Sequence, residues 1–190
     1  DYWAVKELDD GSTTETQIFR IDANSRISLS NNDSGTSNTI FGKSAGASLD
    51  AGSNYNVFIG EAVSDASMND ALYNTGVGYQ SLSALTTGDG NTCIGQNSGL
   101  VLTDGEFNVI IGQSTGATTT SAEKITAVGA DAMNRDVTAA AVGSVAVGYA
   151  ALNFLTSGAG NVAVGYQSGK ALTTGERNVS VGHQALYRGT

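Results

Sequence analysis

The 190-residue chain has no proline, one cysteine, one histidine and one tryptophan, and only 14% of its residues are charged. A lone cysteine, Cys93, excludes a disulfide within the chain. A lone histidine, His183, with no clustered cysteines gives no residue set of the kind that holds zinc within one chain. Without proline, no segment is a proline-rich spacer. Basic charge is also scarce: 9 Lys and Arg stand against 18 Asp and Glu, and the net charge is −9. That balance argues against nucleic acid or an anionic membrane surface as partner, since both require a basic patch. No apolar run reaches the roughly 18 residues a bilayer-spanning helix needs, so no membrane insertion is expected. The chain opens on Asp1 with no signal-peptide pattern and closes partway through a repeat unit, as expected of a piece of a longer polypeptide.

What is abundant is glycine, 25 residues, beside 40% hydrophobic residues. Gly with Ser and Thr can mark disorder, but here the hydrophobic residues keep register with a repeat. The motif Asn-Val-Ala-Val-Gly and its variants place glycine at Gly42, Gly60, Gly78, Gly95, Gly112, Gly129, Gly148, Gly165 and Gly182. The intervals are 18, 18, 17, 17, 17, 19, 17 and 17 residues. Self-similarity at a fixed period marks a chain whose units stack on one another rather than around one central core.

Numbering each unit from its asparagine as zero turns the chain into columns. Column zero holds Asn38, Asn56, Asn74, Asn91, Asn108, Ile125, Ser144, Asn161 and Asn178. Column one is β-branched throughout and column three is large and apolar throughout, from Phe41 and Ile59 to Val164 and Val181. Such residues favour strands, and alternation puts these two columns on one face. The expectation is a short strand ending at the glycine, with columns one and three as the coil interior. On that ground Ile111→Asp should disrupt assembly, whereas Lys43→Ala should be nearly silent. Column two, from Ile40 and Phe58 to Ala163 and Ser180, is also apolar, and no other part of the chain is left to cover a second apolar face. Another copy of the chain is the simplest cover. The column-zero asparagines are expected to form an amide ladder, with simple turn residues as the plainer reading. Column seven stays small and reads as a second, small-residue strand, after which Leu49, Leu85, Leu102, Leu155 and Leu172 precede a second turn glycine three residues on. Units two, five and six lack that leucine and glycine, which predicts altered turns there.

Residues 1–37 lie outside the repeat. Tyr2–Val5, Gln17–Ile21 and Arg26–Ser30 read as strands, with turns at residues 23–25 and 31–35, and so as a small β adaptor in which Trp3 packs. Residues 38–190 form the repeat domain, with structural turn glycines and about nine coils of 17–19 residues.

Candidate chemistry is sparse, and the chain reads as neither an enzyme nor a cofactor carrier. Column five holds Tyr79, Tyr149, Tyr166 and His183 among Gln, Lys and Glu, an outward-facing pattern. These four are the candidate ligand-binding residues, because aromatic rings stack on sugars; the alternative is that they shield coil edges. Asp65, Asp70, Asp131 and Asp136 fall in irregular units, where paired acids could serve glycoside hydrolysis, but short coils without insertions favour plain solvated charge. Calcium at Asp89 or Asp104 lacks an EF-hand or nonapeptide pattern. Val164–Gly169 fits an acyltransferase hexapeptide, yet the aliphatic residue recurs strongly only once per coil. The Thr-Thr pairs at 86–87 and 173–174 are not continued in every coil, so they build no flat ice-ordering array. Cys93, in column two, should behave as a small buried hydrophobe.

The phrases Gly160-Asn-Val-Ala-Val-Gly-Tyr-Gln-Ser168 and Asn91-Thr-Cys-Ile-Gly-Gln-Asn-Ser98 resemble repeats in trimeric autotransporter adhesin heads. They are still more similar to the β-roll repeats of bacteriophage tail fibres, and residues 19–29 resemble an element that introduces phage fibre tips. The resemblance covers residues 38–190. It implies an all-β, left-handed parallel β-roll in a homotrimeric fibre on a virion, acting with other fibre or baseplate proteins. Its expected role is structural and adhesive: spacing or presenting a surface for a host receptor, glycan or outer-membrane protein. The head of a bacterial adhesin is the alternative.

Overall fold

The computed structural model describes residues 3–7, 16–21, 27–28 and 37–188. The chain divides into two compact units, residues 1–32 and 33–190. In the first, β1 (Trp3–Glu7), β2 (Thr16–Ile21) and β3 (Ile27–Ser28) form an antiparallel sheet in that order, with a register shift at Val5/Lys6. The turns expected at 23–25 and 31–35, and the packing of Trp3, lie outside the described residues.

The second unit is a parallel β-solenoid. Nine three-residue strands, β4 (Thr39–Phe41), β5 (Val57–Ile59), β6 (Thr75–Val77), β7 (Thr92–Ile94), β8 (Val109–Ile111), β9 (Thr126–Val128), β10 (Val145–Val147), β11 (Val162–Val164) and β12 (Val179–Val181), stack in sequence order. About eight turns of chain join them. Equivalent columns pair without a slip, as Cys93 with Ile110 and Ala146 with Ala163. Each strand ends at its conserved glycine because the backbones of successive coils touch there. A Cβ on Gly95, at φ +131°, would sit 2.5 Å from the carbonyl oxygen of Gly112. The small-residue strand expected beyond the glycine does not form: two and four residues later the chain turns through left-handed conformations that are mostly not glycine, as at Gln80 (φ 53°) and Leu82 (φ 55°), and these break an extended run.

The amide ladder is present. The backbone N–H of Asn56 donates to Asn38 Oδ1, that of Asn74 to Asn56 Oδ1 and that of Asn91 to Asn74 Oδ1, at 2.9, 2.8 and 3.0 Å. The bonds continue through Asn108 to the N–H of Ile125. The Nδ2 groups of Asn38 through Asn108 and of Asn161 meanwhile donate to a carbonyl of their own coil's return turn, as Asn91 to Gly105 O at 2.8 Å. A second ladder runs through column seven, where Ser81 Oγ donates to Cys93 O, Ser98 Oγ to Ile110 O and Ser168 Oγ to Ser180 O. These polar groups are buried, and each satisfied bond contributes about 0.5–1.5 kcal/mol.

The core lies on the column-two side of the strands. Phe58, Cys93, Ile110, Ala127, Ala146 and Ala163 are completely buried, while columns one and three point outward. The expected interior is therefore corrected: it is column two, not columns one and three. Column two shares its strand face with the buried asparagines two residues earlier, so alternation alone puts both inside. A narrow coil also needs a partner for each inward side chain, and column eight supplies it. Ile40, Cys93 and Ile110 face Gly46, Gly99 and Gly116, and Gly76 faces Leu82; at the same two columns buried Ala127 and Ala146 are matched by buried Met133 and Leu152. A Cβ at Gly99 would come within 2.9 Å of Cys93 Sγ, and one at Gly76 within 3.5 Å of Leu82 Cδ1. Large opposite small holds the cross-section in these coils; in coil eight both positions are small, Ala163 and Gly169, and Leu152 of the preceding coil reaches over Gly169.

The irregular units keep the same core by different residues. In unit two buried Met68, and in unit six buried Val137, occupy the leucine's role one residue late; unit five uses buried Thr119. The 19-residue spacing of unit six accommodates a single 3-10 turn, Ala139–Ala141.

Candidate interaction face

The outward side of the sheet carries columns one and three without interruption through nine coils. Column one supplies Thr39, Thr75, Thr92 and Thr126 with valines between and after them, and column three supplies Phe41, three isoleucines and five valines. None of these positions is charged. None is fully buried: Phe41 is 62% exposed, Ile94 38%, Val164 37% and Val179 74%. With strands about 4.8 Å apart and the two columns about 7 Å apart, the strip covers roughly 300 Å². Patches of that size on soluble proteins are commonly functional. Only Thr75 and Thr92 are neighbours among the four threonines, and five valines fill the other coils, so the strip is an aliphatic surface rather than a hydroxyl lattice.

Beyond the glycine corner, column five is exposed, and three of its four candidate residues come together. Tyr149 stacks on Tyr166 at 5.3 Å between ring centroids, and Tyr166 on His183 at 5.1 Å, with interplanar angles of 19° and 7°. Tyr79 is separated from them by Gln96, Gln113 and Ala130 in the intervening coils. The stacked rings occupy one another's faces, leaving edges and hydroxyls outward. This is an arrangement that braces successive coils across a glycine-bare corner and offers little ring face to a sugar. Below them, Lys43 Nζ meets Glu61 Oε1 at 3.2 Å, both well exposed, a pair of slight energetic weight.

A second aromatic line occupies the residue just before each column-zero position. Tyr55 and Tyr73 stack at 5.2 Å and 7°, Gly90 follows, then Phe107 and Lys124, whose Nζ lies 5.9 Å from the Phe107 centroid. All five have positive φ, yet Tyr55, Tyr73 and Phe107 are 56%, 61% and 56% exposed. The sequence signal for this line was an aromatic directly ahead of the motif asparagine, in Tyr55-Asn56, Tyr73-Asn74 and Phe107-Asn108. Units counted from the asparagine hide it at their far end.

The carboxylates singled out by sequence serve their neighbours. Asp65 Oδ1 accepts the Ser83 hydroxyl at 2.6 Å, Asp131 Oδ1 the Asn134 amide at 3.2 Å, and Asp136 Oδ1 the Thr120 hydroxyl at 3.3 Å. Asp89 Oδ1 accepts the Leu72 N–H at 2.7 Å and Asp104 Oδ1 the Thr103 hydroxyl at 3.2 Å. Asp50 accepts from the hydroxyl and N–H of Ser53 and from the N–H of Asp70. The Ser53 hydroxyl leads the causes that hold its carboxyl below the usual range. Among the described residues, no three His, Cys, Asp or Glu are grouped so as to hold a metal ion. Cys93 lies in the core, where burial pushes its thiol up to about 12 against a smaller opposing effect of Ser98. No protein-family model, curated protein or solved structure matches this chain, so the reading rests on its own geometry.

Proposed function

We propose that the chain is a structural and adhesive segment of a homotrimeric fibre, a left-handed β-roll whose copies pack through columns one and three. The observation that carries this reading is the uncharged, half-exposed aliphatic strip running the whole length of the sheet. Inside each coil, column two is already sealed, so the strip is the apolar surface left for a neighbour. The strip repeats the same residue types at every coil, so parallel copies match each other level by level. Resemblance of the repeats to phage tail-fibre β-rolls supports three copies, a location on the virion, and contact with other fibre or baseplate proteins and a host-surface receptor. The bacterial adhesin head shares the same packing requirement. No catalytic role is assigned.

The test is the oligomeric state of the full chain by sedimentation equilibrium, for the wild type and for Ile111→Asp and Val164→Asp. Both substitutions place a carboxylate on the outward strip, where a lone chain can hydrate it and a packed copy cannot. Trimers in the wild type and folded, dissociated chains in both variants are expected. A wild type that stays monomeric at micromolar concentration, or variants that remain trimeric, would defeat the proposal.

A further inference from the structure

Two rows of residues border the outward strip along its long edges. The leading edge is the residue just before each column-zero position, at positive φ in every coil from Ser37 to Arg177. The other edge is column five, two residues beyond column three. Within a coil the two bordering residues stand six positions apart, and their sizes are complementary. Coils seven and eight carry Tyr149 and Tyr166 in column five and Gly143 and Gly160 at the leading edge. Coil six reverses the order, with Lys124 leading and Ala130 in column five. Only coil three has a ring on both edges, Tyr73 and Tyr79.

The two later glycines are bare shelves. A Cβ on Gly143 would meet nothing within 4 Å, and one on Gly160 only Arg177 Cγ at 3.6 Å. Gly90 differs, because the Phe107 ring already lies over it. Tyr149 and Tyr166, at the same levels as the open shelves, are each 45% exposed. At the leading edge Tyr55, Tyr73 and Phe107 are more than half exposed, at a left-handed backbone that glycine would hold with less strain. A lone chain makes no use of this match, since the whole width of the strip separates its two edges.

Packed copies do use it. Rotation about an axis parallel to the stack relates parallel copies in a closed ring. That operation sets the leading edge of one copy beside column five of the next, coil seven against coil seven. Tyr149 and Tyr166 then lie over the glycine shelves of the neighbouring copy, and Lys124 over its Ala130. A two-fold axis across the stack would instead set like edges together in reversed coil order, without this match. We propose that copies of the chain join in register through a seam in which the leading edge of one packs against column five of the next. This rests on the fibre reading and deepens it by naming the contacting edges.

The experiment is oxidative cross-linking of the full chain carrying Lys124→Cys with Ala130→Cys, read by non-reducing denaturing electrophoresis. A disulfide needs Cα atoms within about 7 Å. Columns one and three alone are about 7 Å apart, so the bond forms between copies rather than within one. Buried Cys93 stays out of the reaction. Linkage of most chains up to the full oligomer is expected. Lys124→Cys alone, or paired with Gln96→Cys two levels away and so roughly 9.6 Å out of register, should link few. In addition, Gly160→Tyr should raise the dissociation constant of the oligomer about tenfold or more, and adding Tyr166→Ala should recover most of that loss. Circular dichroism checks that both variants stay folded, as expected where Tyr55 already holds the same backbone conformation. An oligomeric wild type whose in-register pair fails to link, whose offset or single-cysteine variant links equally well, or whose second substitution recovers nothing would overturn the seam and leave the fibre reading standing. A monomeric wild type would overturn both.

Discussion

Ile110 and Gly116 provide the sharpest test of the coil interior. Ile110 is completely buried in column two, and a Cβ at Gly116 would lie 3.3 Å from both its Cδ1 and its Cγ2. Truncating Ile110 to alanine removes a core side chain where the neighbouring glycines have no atoms with which to fill the space, a loss of about 3 kcal/mol. Gly116→Leu alone overpacks the same point and puts a Cβ at φ 56°, together costing about 3 kcal/mol. The double variant, however, recreates the pair found in coil seven, Ala146 with Leu152, the latter buried at φ 46°. It should lose only about 1–2 kcal/mol, the left-handed leucine term. For a chain of this size, each single variant should lower the thermal midpoint by about 6–12 °C and the double variant by markedly less. Circular dichroism melts of all four proteins, treated as a double-mutant cycle, read the coupling directly. A double variant as unstable as the two losses added together would refute large-opposite-small packing as the rule of this core.

Two further outcomes follow from the polar interior and the buried thiol. Asn91→Ala removes an oxygen that accepts from Asn108 at 3.1 and 2.9 Å and an amide that donates to Gly105 O and Asn74 Oδ1 at 2.8 and 3.1 Å. It should cost about 3 kcal/mol, because the partners stay buried without replacements, and this is measurable in the same melts. Cys93 should resist a thiol-reactive disulfide reagent at pH 8 in the native chain and react at once in denaturant. Since its folded-state value is raised to about 12, the unfolded chain loses this proton first as pH rises. Its contribution to stability is intact below about pH 9 and fades between there and 12, so a Cys93→Ala variant should show a flatter alkaline loss of stability.

Much of this architecture was legible in the repeat. Three-residue strands ending at each conserved glycine, their parallel stacking and the asparagine ladder all follow from column identity, and the structure contains them. The choice of interior face did not follow, because columns one, two and three are all apolar and hydropathy alone does not rank them. The deciding clue was parity: Asn91 and Cys93 are two residues apart, so a ladder hidden from water takes column two with it. Column eight was overlooked because its alternation of Gly46, Leu82, Gly99 and Leu152 looks irregular until set against column two. Met68 and Val137 sit one place late, and a column reading keyed to fixed offsets finds Ser67 and Asp136 instead. Of the candidate site, the stacking of Tyr149, Tyr166 and His183 was predictable from a shared column. The second aromatic line was not, because Tyr55, Tyr73 and Phe107 stand at the far end of units counted from the asparagine.

The asparagine ladder also gives the molecule an arrow. Every Oδ1 in it reaches forward to the N–H one layer ahead, never back, so the two ends of a stack are chemically unlike: one offers a carbonyl awaiting a donor, the other a donor awaiting a carbonyl. The relay falters where Ile125 supplies no side-chain acceptor and the Ser144 N–H turns to Ala141 O instead, then resumes as Ser144 Oγ receives the N–H of Asn161. Across that rung the two coils are held by backbone bonds such as Thr126 N–H to Ser144 O, without the side-chain relay.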